Sequence, residues 1–232
     1  MEEKNALLIG ASETFGFFTA RKLLHAGFKV TINSRNEDKL SSMKHELESE
    51  GEIHYLTGDV SSASTLKSIM DRYGDSGLDA VIFGLGGYDA DDIENPRSLR
   101  EMFENNVFLP FETFSAILNI MRNPSSAIFI SSIYSSLIVS DHSLSYSGSK
   151  AALNRMVASS AKMLLKRGIR VNAVMTTSME EKRHTERSIL FNPGKQSIDP
   201  DLVANVVTFL AEETSMGITG SVITVDQGFS LR

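Results

Sequence analysis

Tyr146 and Lys150 are the residues of this chain whose types and spacing best suit chemistry. They are four positions apart, so in a helix both side chains lie on one face. An ammonium beside a phenol favours the phenolate and lowers the pKa of the phenol from about 10. A tyrosine placed in this way can pass a proton to or from a carbonyl or alcohol oxygen near neutral pH. The same spacing also occurs on exposed helical faces, so the pair alone leaves a catalytic and a structural interpretation open.

The segments around this pair predict a strand followed by a helix. Residues 127–130, Ala-Ile-Phe-Ile, are typical of a short buried strand, and Ser131 and Ser132 follow directly. After Tyr146, apolar residues recur at helical spacing until Gly168 ends the pattern. A strand end that delivers a hydroxyl and a helix that delivers a phenol and an ammonium would together form a small acid–base site.

Strand-like apolar runs alternate with longer amphipathic segments along the whole chain. This alternation predicts an α/β fold with a single doubly wound, seven-stranded parallel sheet and helices on both faces. Ligands of such a sheet bind at the carboxyl ends of its strands. The predicted strands are residues 6–9, 28–32, 53–56, 80–83, 127–130, 169–174 and 222–225. The predicted helices begin near Phe15, Glu37, Ser62, Arg97, Tyr146 and Pro200.

The composition is that of a soluble globular protein. The chain has 232 residues, 41% of them hydrophobic and 22% charged, which suits one α/β domain over residues 1–232.

A net charge of -6 argues against nucleic acid or an anionic membrane as the main partner. The chain has no cysteine and its five histidines lack metal-ligand spacing, so neither thiolate chemistry nor a metal site is expected. Without a bilayer-spanning apolar run or a signal peptide, the expected location is the cytoplasm.

A glycine-bearing turn follows the first predicted strand. Residues 10–16, Gly-Ala-Ser-Glu-Thr-Phe-Gly, open a helix, so their backbone N–H groups are suited to a pyrophosphate, although such turns also occur without a ligand. The second strand ends in Asn33, Ser34 and Arg35 rather than in the acid that would bind the ribose of NAD. A guanidinium suits a 2′-phosphate, so the sequence favours NADP(H) over NAD(H). A solvated arginine at the start of a helix is the alternative interpretation.

The ends of the third and fourth predicted strands carry further candidate residues. Asp59 and Val60 follow the third strand, where a short acid would either meet an adenine or cap the next helix. Gly84 and Gly86 follow the fourth strand. They allow a ligand to approach the backbone closely, or they form a loose loop.

Two other segments favour a site interpretation. Asn106 lies within the predicted helical stretch 99–121, where asparagine is a poor helix former. A buried amide there needs partners, so a structural or a site role is expected. Residues 176–198 follow the sixth strand and are polar and interrupted by Pro and Gly, which predicts a substrate lid or, alternatively, a pair of surface helices.

Residues 146–153 read Tyr-Ser-Gly-Ser-Lys-Ala-Ala-Leu, and residues 167–174 read Arg-Gly-Ile-Arg-Val-Asn-Ala-Val. With these as its most specific parts, the sequence resembles over essentially its whole length the short-chain dehydrogenase/reductase family, whose fold is Rossmann-like. Residues 218–228 also resemble the C-terminal strand of the family, with Phe229 in place of a second glycine. Several motifs in this order and spacing are much harder to obtain by chance than one motif.

The resemblance implies an oxidoreductase that interconverts a carbonyl and an alcohol by hydride transfer. It implies that Tyr146 is the general acid or base, and that Lys150 lowers the pKa of this phenol and holds the nicotinamide ribose. It also implies that Ser132 hydrogen-bonds the substrate oxygen and that Asn106 supports a water-linked proton path. A small carbonyl or alcohol substrate and a homodimer or homotetramer are implied as well. The cofactor-binding residues expected from the turns and the resemblance are Gly10, Ser12, Thr14, Phe15, Gly16, Ser34, Arg35, Asp59, Val60, Gly84, Gly86, Tyr146, Lys150 and Thr176.

Three departures from the family pattern surround the expected nucleotide. Thr14 stands in place of a glycine, and a positive φ there would cost about 1–2 kcal/mol. Residues 83–86 read Phe-Gly-Leu-Gly instead of Asn-Asn-Ala-Gly, and Thr176 and Thr177 replace a Pro-Gly pair. The alternative function is therefore a non-catalytic or weakly catalytic dinucleotide-binding or regulatory protein on the same fold.

Overall fold

Seven apolar runs pair as parallel strands of one sheet in a computed structural model, which describes residues 3–181 and 192–232. The strands are β1 (Lys4–Ile9), β2 (Phe28–Ser34), β3 (Ile53–Thr57), β4 (Leu78–Phe83), β5 (Met121–Ser132), β6 (Ile169–Thr176) and β7 (Val222–Val225). Their spatial order is β3-β2-β1-β4-β5-β6-β7. The chain builds one half outward from β1 and then returns to build the other half from β4. The predicted doubly wound sheet is confirmed, and its crevice lies where β1 and β4 end.

Helices cover both faces of this sheet. They are α1 (Phe15–His25), α2 (Glu37–Leu47), α3 (Ala63–Tyr73), α4 (Leu99–Phe103), α5 (Leu109–Ile117), α6 (Leu144–Leu164) and α7 (Pro200–Ala211). Because successive strand residues point to opposite faces, Ala6 and Leu8 of β1 join the core under α1, α2 and α7, whereas Leu7 and Ile9 join the core under α3, α5 and α6. No helix in the described ranges is long and apolar enough to cross a membrane.

The predicted helix over residues 99–121 is interrupted in the structure. A π-helical turn, Glu104–Phe108, separates α4 from α5, and Met121 already pairs with Leu78 as the first residue of β5. The predicted helical stretch is therefore present over residues 99–120, but its hydrogen bonding changes from α to π and back to α. A π-helical turn in an α-helix often marks a functional position, and this one contains Asn106.

The predicted lid begins and ends in a short parallel ladder. Ser178–Met179 pairs with Ser197–Ile198, and the Glu180 N–H donates to the Ile198 carbonyl at 2.9 Å. Residues 182–191 of the predicted lid lie outside the described residues. The ladder fixes both ends of the segment beside the carboxyl end of β6.

Candidate active site

The loops at the carboxyl ends of the strands line two neighbouring spaces. The first, here called the β5–α6 cavity, has a volume of about 490 Å³ and is lined by Ser132, Tyr146, Lys150 and Thr176 among others. The second, here called the β1–β4 crevice, has a volume of about 450 Å³ and is lined by loops that follow β1, β2, β3 and β4. The predicted site residues therefore gather at one edge of the sheet.

Strand β5 and helix α6 bring the three predicted acid–base groups together. Ser132 and Tyr146 line the same cavity, and the Ser132 hydroxyl is near enough to the phenol to lower its pKa. The Lys150 ammonium lies one helical turn further on, 6.0 Å from the centre of the Tyr146 ring, and donates to the Ile130 carbonyl at 3.0 Å. The predicted neighbourhood of these side chains is present in the structure.

The expected lowering of the Tyr146 pKa by Lys150 is wrong for this arrangement. Burial raises the pKa of Tyr146, the nearby Ser132 hydroxyl offsets this only in part, and the phenols of Tyr88 and Tyr134 raise it further. Lys150 does not lower it, because burial brings the pKa of Lys150 to about 8 and the amine has lost its charge before the phenol titrates. Ser132 is thus the neighbour that favours the phenolate here, and Tyr146 is protonated at neutral pH.

Lys150 is a buried cation. It is only 5% exposed, and burial lowers its pKa from 10.5 to about 8. Among the described residues no carboxylate forms an ion pair with it, and the Ile130 carbonyl is its hydrogen-bond acceptor. A buried charge that lacks an anionic partner destabilises the fold, and such groups are typical of functional sites.

Lys150 should give the free energy of unfolding a pH dependence of defined sign. Its pKa is about 8 in the folded chain and 10.5 in the reference state, so between these values the unfolded chain binds more protons. The free energy of unfolding should therefore rise with pH across this window, by up to about 3 kcal/mol. Lys150→Met should lack this rise. Urea denaturation of both proteins near pH 7 and near pH 10 measures the free energy of unfolding. The same change with pH in wild type and Lys150→Met would contradict a buried lysine charge.

The Asn106 side chain holds the loop after β4 against α6. Its Oδ1 accepts from the Gly87 N–H at 2.9 Å, and its Nδ2 donates to the Gly87 carbonyl at 3.1 Å and to Ser149 Oγ at 3.0 Å. The preceding residue, Gly86, has a φ of +150°, and a Cβ there would lie 2.6 Å from Asn106 Oδ1 and 3.1 Å from Lys150 Nζ. Only glycine fits between these two side chains.

Backbone forms much of the wall of the β1–β4 crevice. Gly10 has a φ of +78°, and a Cβ there would lie 2.9 Å from the Gly84 carbonyl carbon, so both loops present bare backbone. Ser12 Oγ accepts from the Gly16 N–H at 3.2 Å at the start of α1. A helix start that is reached along bare backbone is the arrangement that binds phosphate groups.

The residues of the glycine turn have different surroundings. Thr14 has a φ of -109°, so the free-energy cost expected for a positive φ does not arise. Thr14 lines a third space of about 480 Å³ together with Ser12 and Arg35. Phe15 is 6% exposed and packs in the core, and Gly16 is buried against Ala11. Phe15 and Gly16 line none of the three spaces, so they support the turn from beneath.

The end of β2 presents a cation and no acid. The Asn33 amide is 2% exposed and donates to the carbonyls of Leu56 at 2.8 Å and Gly58 at 3.1 Å, so it bridges β2 and β3. Ser34 and Arg35 line the crevice, and the Arg35 guanidinium lies 3.8 Å from the carboxylate of Asp59.

Asp59 and Val60 lie at the crevice wall as predicted from their place after β3. The Asp59 carboxylate accepts from the Ser61 N–H at 2.9 Å, and hydrogen bonds from Ser61 lower the pKa of Asp59. Lys39, which the sequence reasoning missed, lies at the rim of the third space and pairs with Glu13. Only the fold brings α2 beside the glycine turn, so no sequence motif identified this lysine.

The β5–α6 cavity contains residues that sequence reasoning did not single out. The rings of Tyr88 and Tyr134 lie 5.0 Å and 6.4 Å from the Tyr146 ring. Thr176, a predicted residue, lines the same cavity, and its hydroxyl donates to the Val225 carbonyl at 2.8 Å. No local sequence pattern indicated that these two tyrosine rings would enter the cavity.

Comparisons with known proteins agree with this geometry. The family model described as enoyl-(acyl carrier protein) reductase matches residues 10–230. Glucose 1-dehydrogenase of Gluconobacter oxydans is 30% identical and galactitol 2-dehydrogenase of Rhizobium johnstonii is 28% identical; the alignments cover 98% and 99% of this chain and 92% and 96% of those proteins. A short-chain type dehydrogenase/reductase of Mycobacterium ulcerans has a solved structure with a TM-score of 0.86 at 24% identity, covering 100% of this chain and 91% of that one. This chain belongs to the short-chain dehydrogenase/reductase family.

Family membership establishes the general chemistry of the protein. The chain is an oxidoreductase that acts on CH–OH or C=O groups, and the family uses nicotinamide dinucleotide cofactors. Its members act on small molecules and typically form oligomers.

Proposed function

We propose that this chain is an NADP(H)-dependent oxidoreductase that interconverts a carbonyl and an alcohol, with Tyr146 as general acid and base. The observation that carries this proposal is that the hydroxyls of Ser132 and Tyr146 and the buried Lys150 ammonium line one cavity. They face a cavity that opens at the edge of the sheet where the β1–β4 crevice also lies.

The proton chemistry follows from the state of Tyr146. Because burial keeps its phenol protonated at neutral pH, Tyr146 is ready to donate to a carbonyl oxygen during reduction. Ser132 hydrogen-bonds the same oxygen and stabilises the charge that develops on it. The nicotinamide supplies or accepts the hydride when it is bound. In the direction of alcohol oxidation, Tyr146 first releases its own proton and then takes the proton of the substrate hydroxyl.

Lys150 and Asn106 have supporting roles in this proposal. The Lys150 ammonium lacks a carboxylate partner in the described part of the chain, so its charge is available to hydroxyls of the nicotinamide ribose. Asn106 is assigned to the water-linked proton path that reloads Tyr146. Asn106 lies in the π-helical turn, and its side chain and that of Lys150 both lie close to Gly86.

The nucleotide fits the crevice by its chemistry. Gly10, Ser12 and Thr14 would hold the pyrophosphate at the start of α1, where bare backbone and helix N–H groups favour an anion. Asp59 and Val60 would contact the adenine. The remaining residues proposed around the nucleotide are Gly84, Gly86 and Thr176 along the walls, with Phe15 and Gly16 beneath the turn.

A preference for NADP(H) over NAD(H) is supported by the charges at the end of β2. The Asn33 Nδ2 donates to backbone carbonyls, and residues 33–35 include no carboxylate that would accept from a ribose 2′-hydroxyl. Arg35 is 83% exposed and its contact with Asp59 at 3.8 Å is a long, exposed ion pair of the kind that contributes little. The guanidinium is therefore available to a 2′-phosphate, with Ser34 beside it.

The wider setting is proposed on the same basis. Residues 1–232 form one catalytic domain in which segment 176–198 closes over a small carbonyl or alcohol substrate. The protein is a cytoplasmic homodimer or homotetramer. The negative φ of Thr14 removes one reason for the alternative of a non-catalytic dinucleotide-binding protein.

Replacing the proton donor tests the catalytic assignment. Tyr146→Phe keeps the ring but lacks the hydroxyl, so turnover should fall by about 10²–10⁴-fold while NADPH binding is kept. The measurement is steady-state turnover with NADPH or NADP⁺ and a panel of candidate substrates. The panel takes the substrate classes of related enzymes: glucose, galactitol, cyclic diols and 3-oxoacyl esters. Thr113→Val, a buried hydroxyl deletion outside the three spaces described above, is the control. Unchanged turnover in Tyr146→Phe would refute the role of the phenol.

A charge reversal at the end of β2 tests the cofactor preference. Arg35→Asp replaces the proposed 2′-phosphate contact by an acceptor for a ribose hydroxyl, so the ratio of the kcat/KM values for NADPH and NADH should shift toward NADH by tenfold or more, as for loss of roughly 1.4 kcal/mol. Arg155→Asp, a charge reversal on α6 away from the crevice residues, is the matched control. An unchanged ratio in Arg35→Asp would show that the guanidinium does not contact the phosphate.

A further inference from the structure

Asp91 is a buried carboxylate that the proposed reaction does not use. It lies in the loop between β4 and α4 and is only 6% exposed. In the part of the chain that the structure describes, no cation compensates its charge. A buried anion without a cation is costly unless hydrogen bonds replace its hydration, so its contacts must account for its position.

The Asp91 carboxylate accepts three hydrogen bonds from the starts of two helices. Its Oδ1 accepts from the Ser145 N–H at 3.0 Å, and its Oδ2 accepts from the Ser145 hydroxyl at 2.5 Å and from the Ser98 N–H at 3.3 Å. Burial acts to raise the pKa of Asp91, but these hydrogen bonds outweigh it and hold the pKa below its ordinary value. The side chain is therefore an anion between the N-termini of α4 and α6, where the helix dipoles favour it.

Helix α6 depends on Asp91 because it has no side-chain cap of its own. Ser143 precedes the helix but makes no capping hydrogen bond, and its hydroxyl pairs with that of Ser147 at 2.9 Å. Asp91, 54 positions away from Ser145, supplies the cap instead. Tyr146 follows Ser145 directly, so the turn that Asp91 fixes is the turn that directs the phenol toward Ser132.

The same carboxylate anchors one end of a short segment that packs on Tyr146. Asn106 holds Gly87 at the other end through two hydrogen bonds. Between these anchors, the Tyr88 ring lies edge-on to the Tyr146 ring with 5.0 Å between ring centres. Asp91 thus acts on Tyr146 from two directions: through the first turn of α6 and through the aromatic ring beside it.

We propose that Asp91 is a positioning residue for Tyr146, which it holds in the reactive orientation by capping α6 and by anchoring the segment that carries Tyr88. The positioning itself follows from the contacts above. Its consequence for turnover rests on the proposed function, so the two parts are tested separately.

Amide hydrogen exchange tests the positioning without any substrate. The Ser147 N–H closes the first turn of α6 on the Ser143 carbonyl at 2.8 Å. In Asp91→Ala its exchange should be faster by about tenfold, as for loss of a helix cap, while exchange in the second half of α6 is unchanged. Asp79→Asn is the matched control, because Asp79 accepts from the Asn5 N–H and Arg122 at the opposite end of β4. Equal Ser147 exchange in Asp91→Ala and wild type would overturn the proposal.

Kinetics on the same proteins test the catalytic consequence. With NADPH and the best substrate of the panel above, Asp91→Ala should lower kcat per NADPH-binding site by about 10²-fold, as for a reacting group displaced by 1 Å, and leave the KM for NADPH unchanged. Ser145→Ala removes only the hydrogen bond from the Ser145 hydroxyl to Asp91. Its kcat per NADPH-binding site should lie between those of wild type and Asp91→Ala. A purely structural role would lower the number of binding sites but not kcat per site, and that result would overturn the catalytic part. If the wild type reduces no panel member, the proposed function fails while the exchange result still decides the positioning.

Discussion

The hydrogen bond from the Lys150 ammonium to the Ile130 carbonyl is the contact on which the arrangement of the site depends. It joins α6 to β5 just before the strand ends in Ser131 and Ser132, so the helix that carries Tyr146 is held beside the strand that carries Ser132. The ammonium is buried and its pKa is lowered, which means that the fold tolerates a charge without a carboxylate partner among the described residues. A buried charge of this kind is typical of a functional site, where it can bind a polar group of a ligand in the neighbouring β5–α6 cavity.

The rest of the site is built as a set of supports around this contact. Gly86 leaves room between Lys150 and Asn106, Asn106 holds Gly87 to α6, and Asp91 holds the start of α6. Each support joins a residue after β4 to a residue of α6 or of the π-helical turn. Catalytic groups need such secondary contacts because small displacements are expensive in rate.

Much of the fold and part of the site could be predicted from the sequence because their causes are local. Parallel strands are buried on both faces, so runs such as residues 80–83 are visibly apolar, and the spacing of Tyr146 and Lys150 places them on one helical face. The π-helical turn and the roles of Tyr88 and Asp91 could not be predicted, because each arises from contacts between segments far apart in the chain. The direction of the Tyr146 pKa shift was predicted wrongly for the same reason: spacing brings the amine close, but burial raises the pKa of the phenol and lowers that of the amine.

Direct titration of the wild-type protein with NADPH, followed by the fluorescence of the nucleotide, tests the central claim that the crevice and the Ser132–Tyr146–Lys150 group form a working redox site. The account predicts saturable binding of one nucleotide per chain at micromolar concentration, together with loss of the NADPH signal when a reducible carbonyl is added. No binding at millimolar NADPH would contradict it.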